Sequence, residues 1–122
     1  MGCGKITDII IPDKVSKIGA SAFSGCGFSS VIVPSSVKEI DCFAFSQCRM
    51  LKYIVLSEGI RTIDRRAFEE CEALRNVTIP STVESIGEYA FVACRSLEIA
   101  LVPHGTQLGE NVFPPACKVI MY

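Results

Sequence analysis

An Ala-Phe pair recurs along this chain at Ala22-Phe23, Ala44-Phe45, Ala67-Phe68 and Ala90-Phe91, and in weakened form at Val112-Phe113. Successive phenylalanines of these pairs lie 22, 23, 23 and 22 residues apart. A constant period in that range confines the chain to a solenoid. One unit cannot bury its own apolar face, so each must be covered by the next.

The other repeating positions outline the unit. Five residues before each of these phenylalanines stands an aliphatic residue, Ile18, Ile40, Ile63, Ile86 or Leu108. Gly19, Asp41, Asp64, Gly87 and Gly109 follow, residue types expected where a tight turn needs a positive φ. Cys26, Cys48, Cys71 and Cys94 lie three residues past the phenylalanine, and Cys117 lies four past Phe113. Leu51, Leu74 and Leu97 come three residues after a cysteine, with Phe28 one residue short of that register.

Between leucine and proline the apolar residues alternate: Ile9 and Ile11, Val31 and Val33, Ile54 and Leu56, Val77 and Ile79, Ala100 and Val102. Pro12, Pro34, Pro80 and Pro103 end these runs, with Ser57 in that place in the third unit. Alternation stopped by a residue that cannot donate to a ladder predicts one short strand per unit. Strands repeated at one phase should stack in parallel, ~4.8 Å apart. The Ile-Gly-x-x-Ala-Phe-x-x-Cys half should return on the opposite side, its inward positions spaced for a single turn of α- or 3₁₀-helix. The expected fold is a strand-rich solenoid with one strand per 22–23 residues, its other side made of short strands and single helical turns. It forms a single domain, 1–122, of about five units near 6–28, 29–51, 52–74, 75–97 and 98–122.

The unit from Leu74 through Cys94 closely resembles the BspA-like leucine-rich repeat, and the resemblance extends over essentially residues 6 to 120. It implies an α/β-type leucine-rich repeat fold. It also implies a family of long surface proteins of anaerobic bacteria and protozoan parasites that adhere to host proteins or other cells. The implied partner is a host, extracellular-matrix or cell-surface protein, and the implied location is the cell surface. The family has no catalytic residues to carry over. Departures from its pattern are Ser57, Asp41, Asp64 and the Pro114-Pro115 pair in the last unit.

Charge is nearly balanced, at −1. No basic run exceeds Arg65-Arg66, so neither nucleic acid nor an anionic membrane is expected as a partner. No apolar stretch approaches the ~20 residues of a membrane-spanning helix. The first residues lack the apolar core of a signal peptide, and Ile6 stands where a myristoylation pattern needs Ser or Thr. Because the chain enters and leaves on strands without polar capping units, it reads as a piece of a longer protein or a short member of its family.

The seven cysteines do not carry zinc-type spacing: no Cys-x-x-Cys occurs, and the column members are 22 or 23 apart. They read as a ladder of small buried thiols, with parallel Cβ vectors that disfavour bridges between rungs. Cys3 and Cys42 fall outside that column and are the expected exposed thiols. His104 is the only histidine and belongs to a turn after Pro103. Arg65-Arg66 and Glu69-Glu70 read as a solvated face. Gly2-Cys3-Gly4-Lys5 lacks the strand and spacing of a phosphate loop. No catalytic, metal or cofactor site is expected.

What remains is surface. Outward strand residues should stack in two columns, Ile10, Ile32, Val55, Thr78, Leu101 and Asp8, Ser30, Tyr53, Asn76, Ile99. The first is apolar where alternation predicts polar residues, as a recognition face or a contact between copies would be. The candidate partner-binding residues are therefore Ile10, Ile32, Tyr53, Val55, Asn76, Thr78, Ile99 and Leu101. The favoured function is a non-catalytic protein-binding module. The alternative is a self-assembling spacer that forms homo-oligomers. A further outward column, Ser21, Phe43, Arg66 and Tyr89, carries two aromatics.

Overall fold

The structure, a computed structural model, describes residues 8–122. Expectations for Cys3, the Gly2-Cys3-Gly4-Lys5 segment and Ile6 therefore lie outside the described residues. Eleven short strands are described: β1 (Asp8–Ile10), β2 (Lys17–Ile18), β3 (Ser30–Val33), β4 (Glu39–Ile40), β5 (Tyr53–Leu56), β6 (Thr62–Ile63), β7 (Asn76–Thr78), β8 (Ser85–Ile86), β9 (Ile99–Val102), β10 (Gln107–Leu108) and β11 (Lys118–Met121). The odd-numbered strands β1 to β9 are the alternating runs that end at proline or Ser57, and β11 adds a sixth front strand after Cys117. Each even-numbered strand is the dipeptide ending at the repeated Ile or Leu. All pairings are parallel and join equivalent positions of successive units.

The inward residues form continuous columns. Ile40, Ile63 and Ile86, Ala44, Ala67 and Ala90, and Leu51, Leu74 and Leu97 are all buried. Phe23, Phe45, Phe68, Phe91 and Phe113 stack in one pile, with successive ring centroids 5.4, 5.1, 5.0 and 5.3 Å apart. Offset stacking of this kind adds to the apolar burial. The thiols of Cys48, Cys71 and Cys94 donate to the carbonyls of Phe23, Phe45 and Phe68, one unit back, at 3.1, 3.3 and 3.0 Å.

The Ala-Phe arm forms no α- or 3₁₀-helix among the described residues; it is a succession of turns. Two residues per unit sit in the left-handed region: Phe43 and Gln47 at φ 59° and 61°, Arg66 and Glu70 at 55° and 58°, Tyr89 and Ala93 at 59° and 60°. Ser21 and Gly25 repeat the pattern in the first unit. Alternate N–H groups between them leave the local chain and bond to the next unit: Phe43, Phe45 and Gln47 donate to the carbonyls of Arg65, Ala67 and Glu69 at 3.3, 2.7 and 2.7 Å. A helical turn would spend those donors locally. The left-handed residues cost roughly 1 kcal/mol or more each, and the bonds between units offset that cost.

The turn glycines therefore serve another purpose than expected. Gly19, Gly87 and Gly109 have no positive φ; that conformation falls two residues later. Gly87 and Gly109 allow close approach, since a Cβ there would lie 2.5 Å from the Arg65 nitrogen and 2.6 Å from the Glu88 nitrogen. Asp41 and Asp64 hold the same position by another device, each accepting the N–H of the following residue at 2.7 Å.

Candidate recognition face

Strand pairing sets the outward columns in register. Asp8, Ser30 and Tyr53 align, as do Ile10, Ile32 and Val55. In the second half Asn76 aligns with Ile99 and Lys118, and Thr78 with Leu101 and Ile120. Ile10 is 89% exposed, Ile32 60%, Tyr53 70% and Val55 52%. Asn76, Thr78 and Ile99 are exposed as well, while Leu101 is half-buried. Beyond Leu101, the Tyr122 hydroxyl crosses two units to donate to the Ile79 carbonyl at 2.5 Å.

The candidate residues do not lie on one unbroken sheet. The front strands form two three-stranded sheets, β1-β3-β5 and β7-β9-β11, with no pairing between β5 and β7 among the described residues. Ile10, Ile32, Tyr53 and Val55 lie on the first; Asn76, Thr78, Ile99 and Leu101 lie on the second. Behind them β6 and β8 pair in a continuous five-stranded sheet, so the interruption is confined to the front.

Two depressions follow this seam. One of about 340 Å³ is lined by Ile54, Val55, Leu56, Asn76, Val77 and Thr78. The other, of about 360 Å³, is lined by Lys52, Tyr53, Ala73, Arg75, Asn76 and Ser96. The hydrogen bonds at its rim show the same interruption. Lys52, Glu98 and Lys118 donate their N–H to Ser29, Arg75 and Glu98 one unit back, at 2.8, 2.7 and 2.8 Å. The Arg75-to-Lys52 step has no such bond among the described residues. Sequence reasoning missed Lys52 and Arg75. They are one column, each immediately before an outward residue already singled out, and aligning that position would have found them.

Most other described cations are engaged. Arg49 pairs with Glu70 at 2.8 Å and Glu72 at 3.7 Å, and Arg95 with Glu72 at 3.5 Å. Arg61 pairs with Glu84 at 2.8 Å, Arg66 with Glu69 at 2.6 Å and Lys17 with Asp41 at 3.3 Å. The Arg66 guanidinium also lies 4.7 Å from the Tyr89 ring centroid, and that of Arg65 5.7 Å from the Phe43 ring. The expected solvated face at Arg65-Arg66 and Glu69-Glu70 is thus a linked network, in which Arg66, Glu69 and Glu70 are half-buried.

The cysteine column departs from a plain thiol ladder at its first rung: Cys26 is disulfide-bonded, whereas Cys42, Cys48, Cys71, Cys94 and Cys117 are free. Cys42 is half-buried rather than exposed. Burial pushes the Cys48 thiol up to about 11. The neighbouring Cys94 thiol, and then burial, hold the Cys71 thiol well above the ordinary range. Such thiols are poor nucleophiles. His104 is exposed, beside an open polar depression that Ser81 and Gln107 also line. No group of three or more His, Cys, Asp or Glu among the described residues could hold a metal ion.

The repeat pattern of the BspA type leucine rich repeat region matches this chain in six copies over residues 1–119. The chain belongs to the BspA-type leucine-rich repeat family. Solved leucine-rich repeat proteins share its shape. One from T. pallidum superposes with a TM-score of 0.85 at 29% identity, covering 93% of this chain and 56% of that one. A leucine rich cell surface protein from Faecalibacterium prausnitzii gives 0.86 at 29% identity, covering 97% and 32%. A leucine-rich repeat protein from Bacteroides ovatus gives 0.87 at 28% identity, covering 99% and 36%. This leucine-rich repeat chain therefore spans roughly a third to just over a half of each of those chains. No curated protein sequence matches it. No described helix is long and apolar enough to cross a membrane.

Proposed function

We propose that this chain is a non-catalytic protein-binding module that recognises a partner through the outward face of its front strands. The observation that carries this reading is the row Ile10, Ile32 and Val55, exposed on strand positions where the fold needs no apolar side chain. Removing such a row from water favours association, and the neighbouring Tyr53 is the kind of residue on which binding energy concentrates. Leu101, Thr78, Asn76 and Ile99 extend the face across the second sheet. The bacterial surface protein among its structural neighbours supports adhesion at a cell surface, with a host, extracellular-matrix or other cell-surface protein as partner.

The test is binding to a panel of immobilised extracellular-matrix and host-cell surface proteins, with the solution mass recorded over a dilution series. A monomer that binds a panel protein, and loses binding on Tyr53→Ala, fits the reading. A dimer held by the apolar row, losing its mass dependence when Ile32→Asp is introduced, would replace partner recognition with self-assembly. Binding that survives Tyr53→Ala and Ile32→Asp together would remove this face from consideration.

A further inference from the structure

We propose that the notch at the mouth of the seam, lined by Lys52, Tyr53, Arg75, Asn76 and Ser96, binds a carboxylate of the partner, which is an extended segment alternating acidic and apolar side chains. This inference rests on the strand face being the recognition surface and names the chemistry of what it recognises.

Three observations converge on an anion. Lys52 and Arg75 occupy successive units of one column, are exposed, and have no ion-pair partner among the described residues. That sets them apart from Arg49 and Arg95, which are occupied by Glu70 and Glu72. Glu98 follows Arg75 in the same column and forms no ion pair with it within 4.0 Å. Second, the Arg75 N–H lacks the bond to the preceding unit that its counterparts make, which leaves a backbone donor at the same place. Third, Asn76 and Ser96, residues whose side chains carry further donors, complete the lining. A guanidinium, an ammonium and neutral N–H and O–H donors around one opening are complementary to a carboxylate, and charge-assisted bonds of this kind are among the stronger ones.

The apolar row lies two residues beyond the Tyr53/Asn76 column on each strand. A partner anchored by its carboxylate at Lys52 and Arg75 can therefore set apolar side chains on Val55 and Ile32. Six front strands ~4.8 Å apart span ~24 Å, a width that an extended segment crosses in about eight residues.

The probes are fluorescein-labelled peptides of about ten residues, long enough to cross the face, one alternating Asp and Val and one alternating Ser and Val. Binding is followed by fluorescence anisotropy to the full chain and to the Lys52→Ala/Arg75→Ala and Ile32→Asp/Val55→Asp variants. Circular dichroism confirms that each variant is folded. The Asp-Val peptide is expected to bind at least about tenfold tighter than the Ser-Val peptide. Lys52→Ala/Arg75→Ala, or added salt, should erase that preference. Equal binding of the two peptides, a preference that survives the loss of both cations, or no binding of the Asp-Val peptide overturns the inference. The two readings separate cleanly. If both peptides bind alike and Ile32→Asp/Val55→Asp abolishes both, the face stands and the carboxylate site falls. If the preference for Asp persists in Ile32→Asp/Val55→Asp and vanishes in Lys52→Ala/Arg75→Ala, the carboxylate site stands and the apolar row falls.

Discussion

The back and the front of this solenoid are joined in different ways. At the back, one parallel sheet, β2-β4-β6-β8-β10, runs without interruption. Beside it the phenylalanine pile and the thiol-to-carbonyl bonds tie each unit to the one before. At the front the sheet divides in two, and the outward row Ile10, Ile32 and Val55 is apolar and exposed. The difference separates two duties that the same 22–23-residue unit performs. Its inward columns make the units identical, so that they stack. Its outward columns differ from unit to unit and are free to match something else.

Emptying one place in the phenylalanine pile is the most damaging change to the back of the solenoid. Phe68→Ala should cost about 3–5 kcal/mol in denaturant unfolding, because Phe45 and Phe91 are held too rigidly to close the cavity. A cost below about 1 kcal/mol would deny the column its structural role. The close approach of the turns gives the next largest effect. Gly87→Ala places a methyl against the Arg65 backbone and should cost about 1–3 kcal/mol. Gly19→Ala meets nothing within 4 Å and serves as the control, unfolding like the parent. Equal effects at the two positions would contradict the packing described for the turn.

Alkali sharpens the contrast further. The folded Cys48 thiol sits at about 11, raised from 9.0. A raised folded value means that the stabilisation is complete below the unfolded value and disappears as pH climbs through the folded one. Stability should therefore decline between pH 9 and pH 11 and recover part of that loss in Cys48→Ala, measured against the parent by chemical unfolding. At the front, hydrogen exchange should find the Arg75 amide faster than those of Lys52 and Glu98, which are bonded to the preceding unit. Equal protection at the three amides would mean that the seam is closed in solution.

Much of this was legible in the sequence because a constant period reveals every position that must repeat. Ile40, Phe45 and Cys48 could be assigned to the core from spacing alone, and Ile32 and Val55 to the outside from alternation. The local conformation was not legible. Phe43 and Tyr89 adopt a positive φ although bulky residues rarely do, because the bonds between neighbouring units impose it. No single unit contains that constraint, so a helical turn was the natural expectation from spacing. For the same reason Gly87 looked like a turn residue and proved to be a close-approach residue. The seam left no trace, since Tyr53–Leu56 and Asn76–Thr78 both keep the strand pattern. Lys52 and Arg75 were visible as a column, but only the interruption beside them gave that column meaning. The bonded state of Cys26 was likewise hidden, because a repeat column treats all its cysteines alike.

The claim that the apolar front row is surface rather than core is tested most directly by thermal unfolding of the Ile32→Asp/Val55→Asp variant beside the parent and Phe68→Ala. Each exposed strand position should change stability by less than about 1 kcal/mol. The double variant should therefore melt close to the parent and well above Phe68→Ala, while losing affinity for any partner the parent binds. A melting temperature that falls as far as that of Phe68→Ala would place the row in the core and contradict the division between front and back.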